Sequence, residues 1–214
     1  MVKIYFVGGE YIDKRDSQNI NKQAFLDAGG NPNVLVFPWT GKDTKYRNIM
    51  KDYFKDLGAK NTEFAELSDS IKIIKNKIEK SDLIYLPGGD NEILMQKLKK
   101  VANLIKNYDK VIIGNSAGAL VLSKKYVHIE KQNSNIKLSM LQGLSLIDFS
   151  ISVHYKSKRP NFPSRNEKEH KKLSEKTKLK IYAIPEQSAL VYDNGNLKFI
   201  GKVKVFYKGK ILKK

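Results

Sequence analysis

The sequence predicts an α/β fold on three observations. Short apolar runs alternate with stretches of helical periodicity from Lys3 to Leu122; the runs read as strands buried in a sheet; and the strong ones stop at glycine or proline. Such alternation implies parallel strands joined by right-handed helical crossovers. After Ala189 the pattern changes to short runs separated by tight-turn residues, which predicts antiparallel hairpins. The expected architecture is therefore one α/β sandwich over residues 1–214 with a small antiparallel extension at its C-terminal end.

Each element has its own signal. Residues 3–7 are β-branched and aromatic and end at Gly8-Gly9, a buried first strand feeding a loop. Ser17 to Ala28 follows as a helix closed by Gly29-Gly30, and Asn33 to Phe37 as a strand stopped by Pro38. Asp43 to Leu57 carries Tyr46, Ile49, Met50, Tyr53, Phe54 and Leu57 at helical spacing before Gly58. Thr62 to Leu67 is a weak strand, and Ser70 to Glu79 sets Ile71, Ile74 and Ile78 on one helix face. Asp82 to Leu86 is a strong strand. Asn91 to Lys106 reads as a helix, and Lys110 to Ile113 as a strand.

Beyond Leu122 the regularity weakens. Ser123 to Asn135 is polar, with Glu130 to Asn135 expected as a loop or hairpin tip. Ser150 to Tyr155 alternates as a strand, a polar loop holds Pro160 and Pro163, and a charged helix runs from Ser164 to about Thr177. Lys180 to Ile184 is another strand, stopped by Pro185. In the tail, Asn194-Gly195 is a strong turn between Ala189–Tyr192 and Leu197–Ile200, followed by runs at 202–207 and 211–212.

Composition narrows the chemistry. The absence of cysteine removes disulfides, thiolate metal sites and a cysteine nucleophile, so a hydrolase built on this chain uses oxygen or water. No run approaches the ~18 apolar residues of a membrane span, and the start is too short for a signal peptide, which points to the cytoplasm. The net charge of +18 invites a nucleic-acid partner, yet only four of the 40 basic residues are arginine and the lysines are dispersed from Lys3 to Lys214. Recognition of bases and phosphates favours clustered arginine, so the lysines read as a solvated coat.

In open parallel sheets ligands bind at the carboxyl ends of strands, and four places just past apolar runs stand out. They are Gly88-Gly89-Asp90-Asn91, Ser116, His154 and Glu186. Gly114-Asn115-Ser116-Ala117-Gly118 has the Gly-x-Ser-x-Gly spacing of a serine on a sharp strand-to-helix turn, whose small neighbours admit a substrate carbonyl. The unpaired N–H groups of the following helix can then stabilise an oxyanion.

Such a serine needs a histidine base and a carboxylate behind it. His128 lies in a lysine-rich stretch and His170 on a charged helix face, and both read as surface residues; His154, at a strand end, fits the base. Among Asp90, Asp148, Glu186 and Asp193, only Asp90 and Glu186 directly follow well-defined central strands. Asp90 also opens a helix and can be its N-cap.

Taken together, Leu86-Pro87-Gly88-Gly89-Asp90-Asn91, Gly114-Asn115-Ser116-Ala117-Gly118-Ala119, His154 and Ile184-Pro185-Glu186-Gln187-Ser188-Ala189-Leu190 resemble the peptidase E (aspartyl dipeptidase) and cyanophycinase family of serine peptidases. The resemblance spans nearly the whole chain. It implies a flavodoxin-like three-layer sandwich related to class I glutamine amidotransferases. It also implies a Ser116-His154-Glu186 triad and an oxyanion hole from the Gly88-Gly89 loop and the Ala117 N–H, with no metal or organic cofactor. The order Ser, His, Glu differs from the Ser, acid, His order of α/β-hydrolases. A class I amidotransferase would carry cysteine at the elbow.

The implied substrate is a short peptide, with amino-terminal aspartate as the family's hallmark. Arg159 and Arg165 are candidates to pair that carboxylate, and Asp90 and Asn91, beside the oxyanion loop, are further candidates for substrate contact. The chain departs from peptidase E at Lys131 to Leu141 and over 156–180, where specificity would be set. Two other readings stand beside this one: an acidic polymer as substrate, and a non-catalytic protein holding an anionic ligand or nucleic acid on its basic surface. Exposed edge strands in the tail would allow a homodimer.

Overall fold

In the computed structural model, which describes residues 2–41, 46–132, 135–158 and 166–212, the first strand lies inside a sheet covered on both faces. The N-terminal half runs β1 (Lys3–Val7), α1 (Gln18–Asp27), β2 (Asn33–Val36), α2 (Tyr46–Asp56), β3 (Asn61–Phe64), α3 (Ile71–Lys80) and β4 (Leu83–Leu86). It continues through α4 (Asn91–Leu98), α5 (Ala102–Lys106), β5 (Val111–Asn115) and α6 (Ala117–Leu122). The C-terminal half runs β6 (Ser123–Gln132), β7 (Asn135–Gln142), β8 (Ile147–Val153), α7 (Glu167–Thr177), β9 (Ile181–Ile184), β10 (Ala189–Asp193), β11 (Asn196–Ile200), β12 (Lys204–Tyr207) and β13 (Lys210–Leu212).

The central sheet has the order β11-β10-β1-β5-β4-β2-β3. Its five parallel members follow the doubly wound order 2-1-3-4-5, with the fifth place filled by the first strand of the chain. This is a flavodoxin-like α/β fold. Ile4 and Phe6 of β1 pack on one face and Tyr5 and Val7 on the other. One face is covered by α1 and α2, whose Phe25, Tyr53 and Phe54 fill the interior. Burial of rings of this size contributes about 2–3 kcal/mol each. The other face receives Ile74 and Ile78 of α3, Leu94 and Leu98 of α4, and α6.

The β10–β11 hairpin adds to β1 as an antiparallel extension, which matches the turn at Asn194-Gly195. The remainder of the C-terminal half is more than an appendage. A second sheet of six strands, ordered β13-β12-β9-β8-β6-β7, packs beside the first. Phe149 of β8 meets Phe6 at 5.9 Å and Tyr182 at 4.7 Å between ring centroids. The polar stretch from Ser123 is a long strand of this sheet. Tyr126 and Val127 face opposite cores, while lysines 124 and 125 meet solvent, so composition concealed the strand. Where a loop or hairpin tip is expected at Glu130 to Asn135, strand pairing continues to Gln132 and resumes at Asn135, and residues 133 and 134 lie outside the described residues.

Two other expectations change. The helix foreseen over 91–106 is interrupted by a 3₁₀ turn at Lys99–Val101. His170, read as a surface residue, is fully buried. Its Nδ1 lies 2.7 Å from the Asn166 carbonyl and its Nε2 2.9 Å from Ser152 Oγ, with the ring against Tyr155 and Phe206. The charged helix α7 has few apolar residues to bury, and His170 joins Leu173 in completing its inner stripe.

Candidate active site

Three strand ends bring the site together. After β5 the chain turns sharply at Ser116, with φ 50° and ψ −105°, and enters α6, all of whose residues are buried. The turn fits only small neighbours. A Cβ on Gly118 would stand 2.0 Å from the Leu86 carbonyl oxygen, and one on Gly114 would stand 2.7 Å from the Ala119 nitrogen. The Ser116 N–H donates to the Val7 carbonyl at 3.0 Å, and the Gly118 N–H to that of Pro87 at 3.2 Å, which pins the turn between β1 and β4. A positive φ in a non-glycine residue of this kind costs about 1–3 kcal/mol and persists where the surroundings over-determine it.

Ser116 occupies the N-cap place of α6 but makes no capping bond with its side chain. Its Oγ instead lies 2.7 Å from His154 Nε2. His154 follows β8 directly; its backbone N–H donates to the Gly8 carbonyl at 3.0 Å, and only 3% of the residue is exposed. Its Nδ1 lies 2.8 Å from Glu186 Oε1. Glu186 follows β9 and Pro185, which ends that strand. With a carboxylate at Nδ1, the neutral ring carries its proton there and presents Nε2 as an acceptor to the serine. Burial pushes the Glu186 carboxyl up, but hydrogen bonds from His154 and Ser157 and from its own backbone outweigh this and hold it down at about 2.

The Gly88-Gly89 loop stands beside the serine, since a Cβ on Gly88 would lie 3.4 Å from Ser116 Cβ. Gly89 has φ +136°, and a side chain there would strike Thr40. Ala117 is the first residue of α6, where a backbone N–H has no intrahelical acceptor. Asp90 and Asn91 have other partners. Asp90 Oδ1 caps α4 by accepting from the Glu92 and Ile93 N–H groups at 2.9 Å, and Asn91 Nδ2 donates to the Tyr126 hydroxyl at 3.2 Å. Arg159 and Arg165 lie outside the described residues.

A cleft of about 460 Å³ opens over Ser116 and His154, large enough for a short peptide. Pro87, Gly88, Gly89 and Asn115 form one side; Glu10, Tyr11, Ile12 and Asp13 form another, with Tyr46 and Met50 beyond. Glu10 was passed over in the sequence although it follows β1 and Gly8-Gly9, and so meets the same strand-end criterion that singled out the other positions. Among the described residues no three or more acidic or histidine side chains are grouped as a metal site, and no helix is long and apolar enough to cross a membrane.

Gly9 links the cleft wall to the imidazole. With φ +140°, it packs so closely that a Cβ would stand 2.3 Å from His154 Cε1. Gly9→Ala is therefore expected to displace the ring from Ser116 and lower kcat/KM by roughly a hundredfold or more, the scale of a 1 Å misplacement. Peptide hydrolysis measured beside the melting temperature checks this: a variant of parental activity would show that the imidazole position is not set by Gly9.

The family model of peptidase family S51 matches residues 4–200. An uncharacterized peptidase of Listeria monocytogenes serovar 1/2a is 32% identical over 120 residues, covering 52% of this chain and 58% of the relative. The chain thus spans little more than half the length of that relative. An uncharacterized peptidase of Pasteurella multocida is 29% identical over 153 residues, covering 65% of this chain and 72% of its own. Two solved structures share the fold. A peptidase from an acI-B1 Actinobacterium superposes with a TM-score of 0.70 at 18% identity, covering 99% of this chain and 94% of that one. A protein of Listeria monocytogenes EGD-e described as a candidate peptidase E gives 0.67 at 22%, covering 97% and 98%.

Proposed function

The chain belongs to peptidase family S51, and from that premise we propose that it is a serine peptidase of short peptides working through Ser116, His154 and Glu186. The observation that carries this reading is the unbroken path from Ser116 Oγ to His154 Nε2 at 2.7 Å and from His154 Nδ1 to Glu186 Oε1 at 2.8 Å. In the first step His154 Nε2 takes the hydroxyl proton as Ser116 Oγ attacks the peptide carbonyl. Glu186, ionised throughout the neutral range, stabilises the imidazolium that forms. The Ala117 N–H and the Gly88-Gly89 loop receive the oxyanion.

His154 then returns the proton to the leaving amine, which departs and leaves an acyl group on Ser116. Water enters, gives its proton to His154 and attacks the ester; as the second tetrahedral species collapses, His154 returns that proton to Ser116 Oγ, which restores the serine and releases the carboxylic acid. The cleft volume suits a dipeptide or tripeptide better than a folded polypeptide. Aspartyl specificity of the peptidase E kind would rest on Arg159 and Arg165, and the described lining of the cleft holds no lysine or arginine.

The reading is tested by an active-site fluorophosphonate, which reacts only with an activated serine. Modification is expected at Ser116 alone, mapped by peptide mass, and absent after denaturation. Modification of a different serine, or none, would overturn it.

A further inference from the structure

Glu10 is a buried carboxyl group. Only 8% of the residue is exposed, and among the described residues no lysine or arginine pairs with its carboxylate. Three donors hold it instead. Oε1 accepts from the Tyr53 hydroxyl at 2.6 Å, Oε2 accepts from Asn21 Nδ2 at 2.7 Å, and the Ser17 backbone N–H also donates to it. Asn21 Nδ2 bonds Tyr53 as well, at 2.8 Å, so the three side chains form a closed triangle. Asn21 and Tyr53 are 0% and 1% exposed, which fixes the carboxylate in one orientation.

Burial pushes the Glu10 carboxyl up, and the bonds from Tyr53 and Asn21 offset only part of this, so it stands above the ordinary carboxylate value. A carboxylate offers about four acceptor positions, so three donors leave one for a ligand. A purely structural tie between β1 and the two helices would not need a charge. Glutamine has the same length and would spare the cost of burying an ion without a counter-ion.

The location supplies the reason for the charge. Glu10 lines the cleft that contains Ser116 and His154, one residue beyond the glycine on which the imidazole rests. Asp13 stands at the same cleft, and the described lining carries no lysine or arginine. The charged residues of the described lining are thus acidic, in a chain whose basic residues outnumber its acidic ones by 40 to 22.

We propose that Glu10 receives an ammonium group of the substrate, so that this protein selects peptides bearing a positive charge near the scissile bond. The assignment rests on Ser116 being the nucleophile that faces this cleft. The ammonium can be a free amino terminus or the side chain of a basic residue; both present the same N–H donors to the open carboxylate position.

The test uses Glu10→Gln and a set of short peptides on one backbone: free amino terminus, N-acetylated, and N-acetylated with a lysine at each position in turn. The Tyr53 hydroxyl still has a carbonyl oxygen to donate to in this variant. Asn21, whose Oδ1 has no partner, can rotate to accept from the new amide. Equal fluorophosphonate labelling rates at Ser116 and equal melting temperatures establish an intact site.

The ratio of kcat/KM for the ammonium-bearing peptide to that for the neutral acetylated one is expected to fall by roughly 10–100-fold in the variant, mainly through KM. A fall confined to free termini assigns the amino terminus; one confined to lysyl peptides assigns the side chain. An unchanged ratio overturns the proposal. So does a wild-type protein that cleaves the neutral acetylated peptide as well as both charged kinds, whatever the variant does. Absence of labelling at Ser116 would instead sink the peptidase assignment, whereas labelling without turnover of either ammonium-bearing class sinks this inference alone.

Discussion

Ser116→Ala is expected to lower kcat for peptide hydrolysis by about 10⁵–10⁶-fold, leaving only what binding and the oxyanion donors supply to attack by water. The substitution removes the proposed nucleophile and little else: the backbone bonds from Ser116 to Val7 and from Gly118 to Pro87 remain, and a methyl group replaces a hydroxymethyl in the same turn. Retention of more than a small fraction of parental hydrolysis would place the nucleophile elsewhere. A companion variant separates chemistry from strain. Ser116→Gly is equally inactive, but glycine adopts φ 50° without steric cost. It is expected to melt above Ser116→Ala by roughly 2–4 °C, the equivalent of about 1 kcal/mol at this size. A glycine variant melting below the alanine variant would mean that the elbow stores no usable strain.

Glu186→Gln is expected to lower kcat by about 10⁴-fold with the fold intact. An amide can turn its NH₂ toward Nδ1, which fixes the imidazole in the tautomer that offers Ser116 a proton rather than accepting one. The same substitution has a signature in acid stability. The Glu186 carboxyl stands at about 2 in the folded protein against an ordinary value of 4.5. A depressed carboxyl stabilises the folded state fully above the unfolded value and loses that contribution as pH falls toward the folded one. The parent is therefore expected to lose about 2 kcal/mol from this group between pH 4.5 and pH 2, allowing for its partial contact with solvent. Melting curves taken across that window should fall less steeply for the glutamine variant; parallel curves would show that Glu186 is not held below its ordinary range.

Much of the fold was legible because strands and helices are written in local periodicity. The run at 3–7 followed by two glycines, the Ile71, Ile74 and Ile78 spacing, and the Asn194-Gly195 turn each specify their element without help from distant residues. The elbow was legible for a similar reason. Gly114 and Gly118 are required by contacts within a few ångströms of Ser116, and the spacing of small residues around a serine expresses that crowding directly. His154 and Glu186 were found as residues just past strands, and their order along the chain already separated this arrangement from the α/β-hydrolase one.

Where the reading of the sequence fell short, the deciding contacts join distant segments. The strand from Ser123 looked like a polar connection because its lysines dominate its composition, while its partners at 135–142 and 147–153 supply the pairing that makes it a strand. His170 looked exposed among lysines and glutamates, yet Ser152 on a neighbouring strand and the rings of Tyr155 and Phe206 enclose it. Asp90 and Glu186 were equivalent by position. Only the packed structure shows that the first caps α4 and the second meets His154.

By itself, then, the sequence determined the class of fold, the strand-turn-helix that carries Ser116, and the two strand ends from which a base and an acid could come. Tertiary structure decided which carboxylate faces His154, how the C-terminal half divides between two sheets, and that a buried Glu10 lines the cleft. Turns and periodic faces follow from steric limits and burial over a few neighbouring residues, so they are legible locally. Pairing among strands tens of residues apart, and the direction a side chain takes once they pair, are fixed only when the cores close.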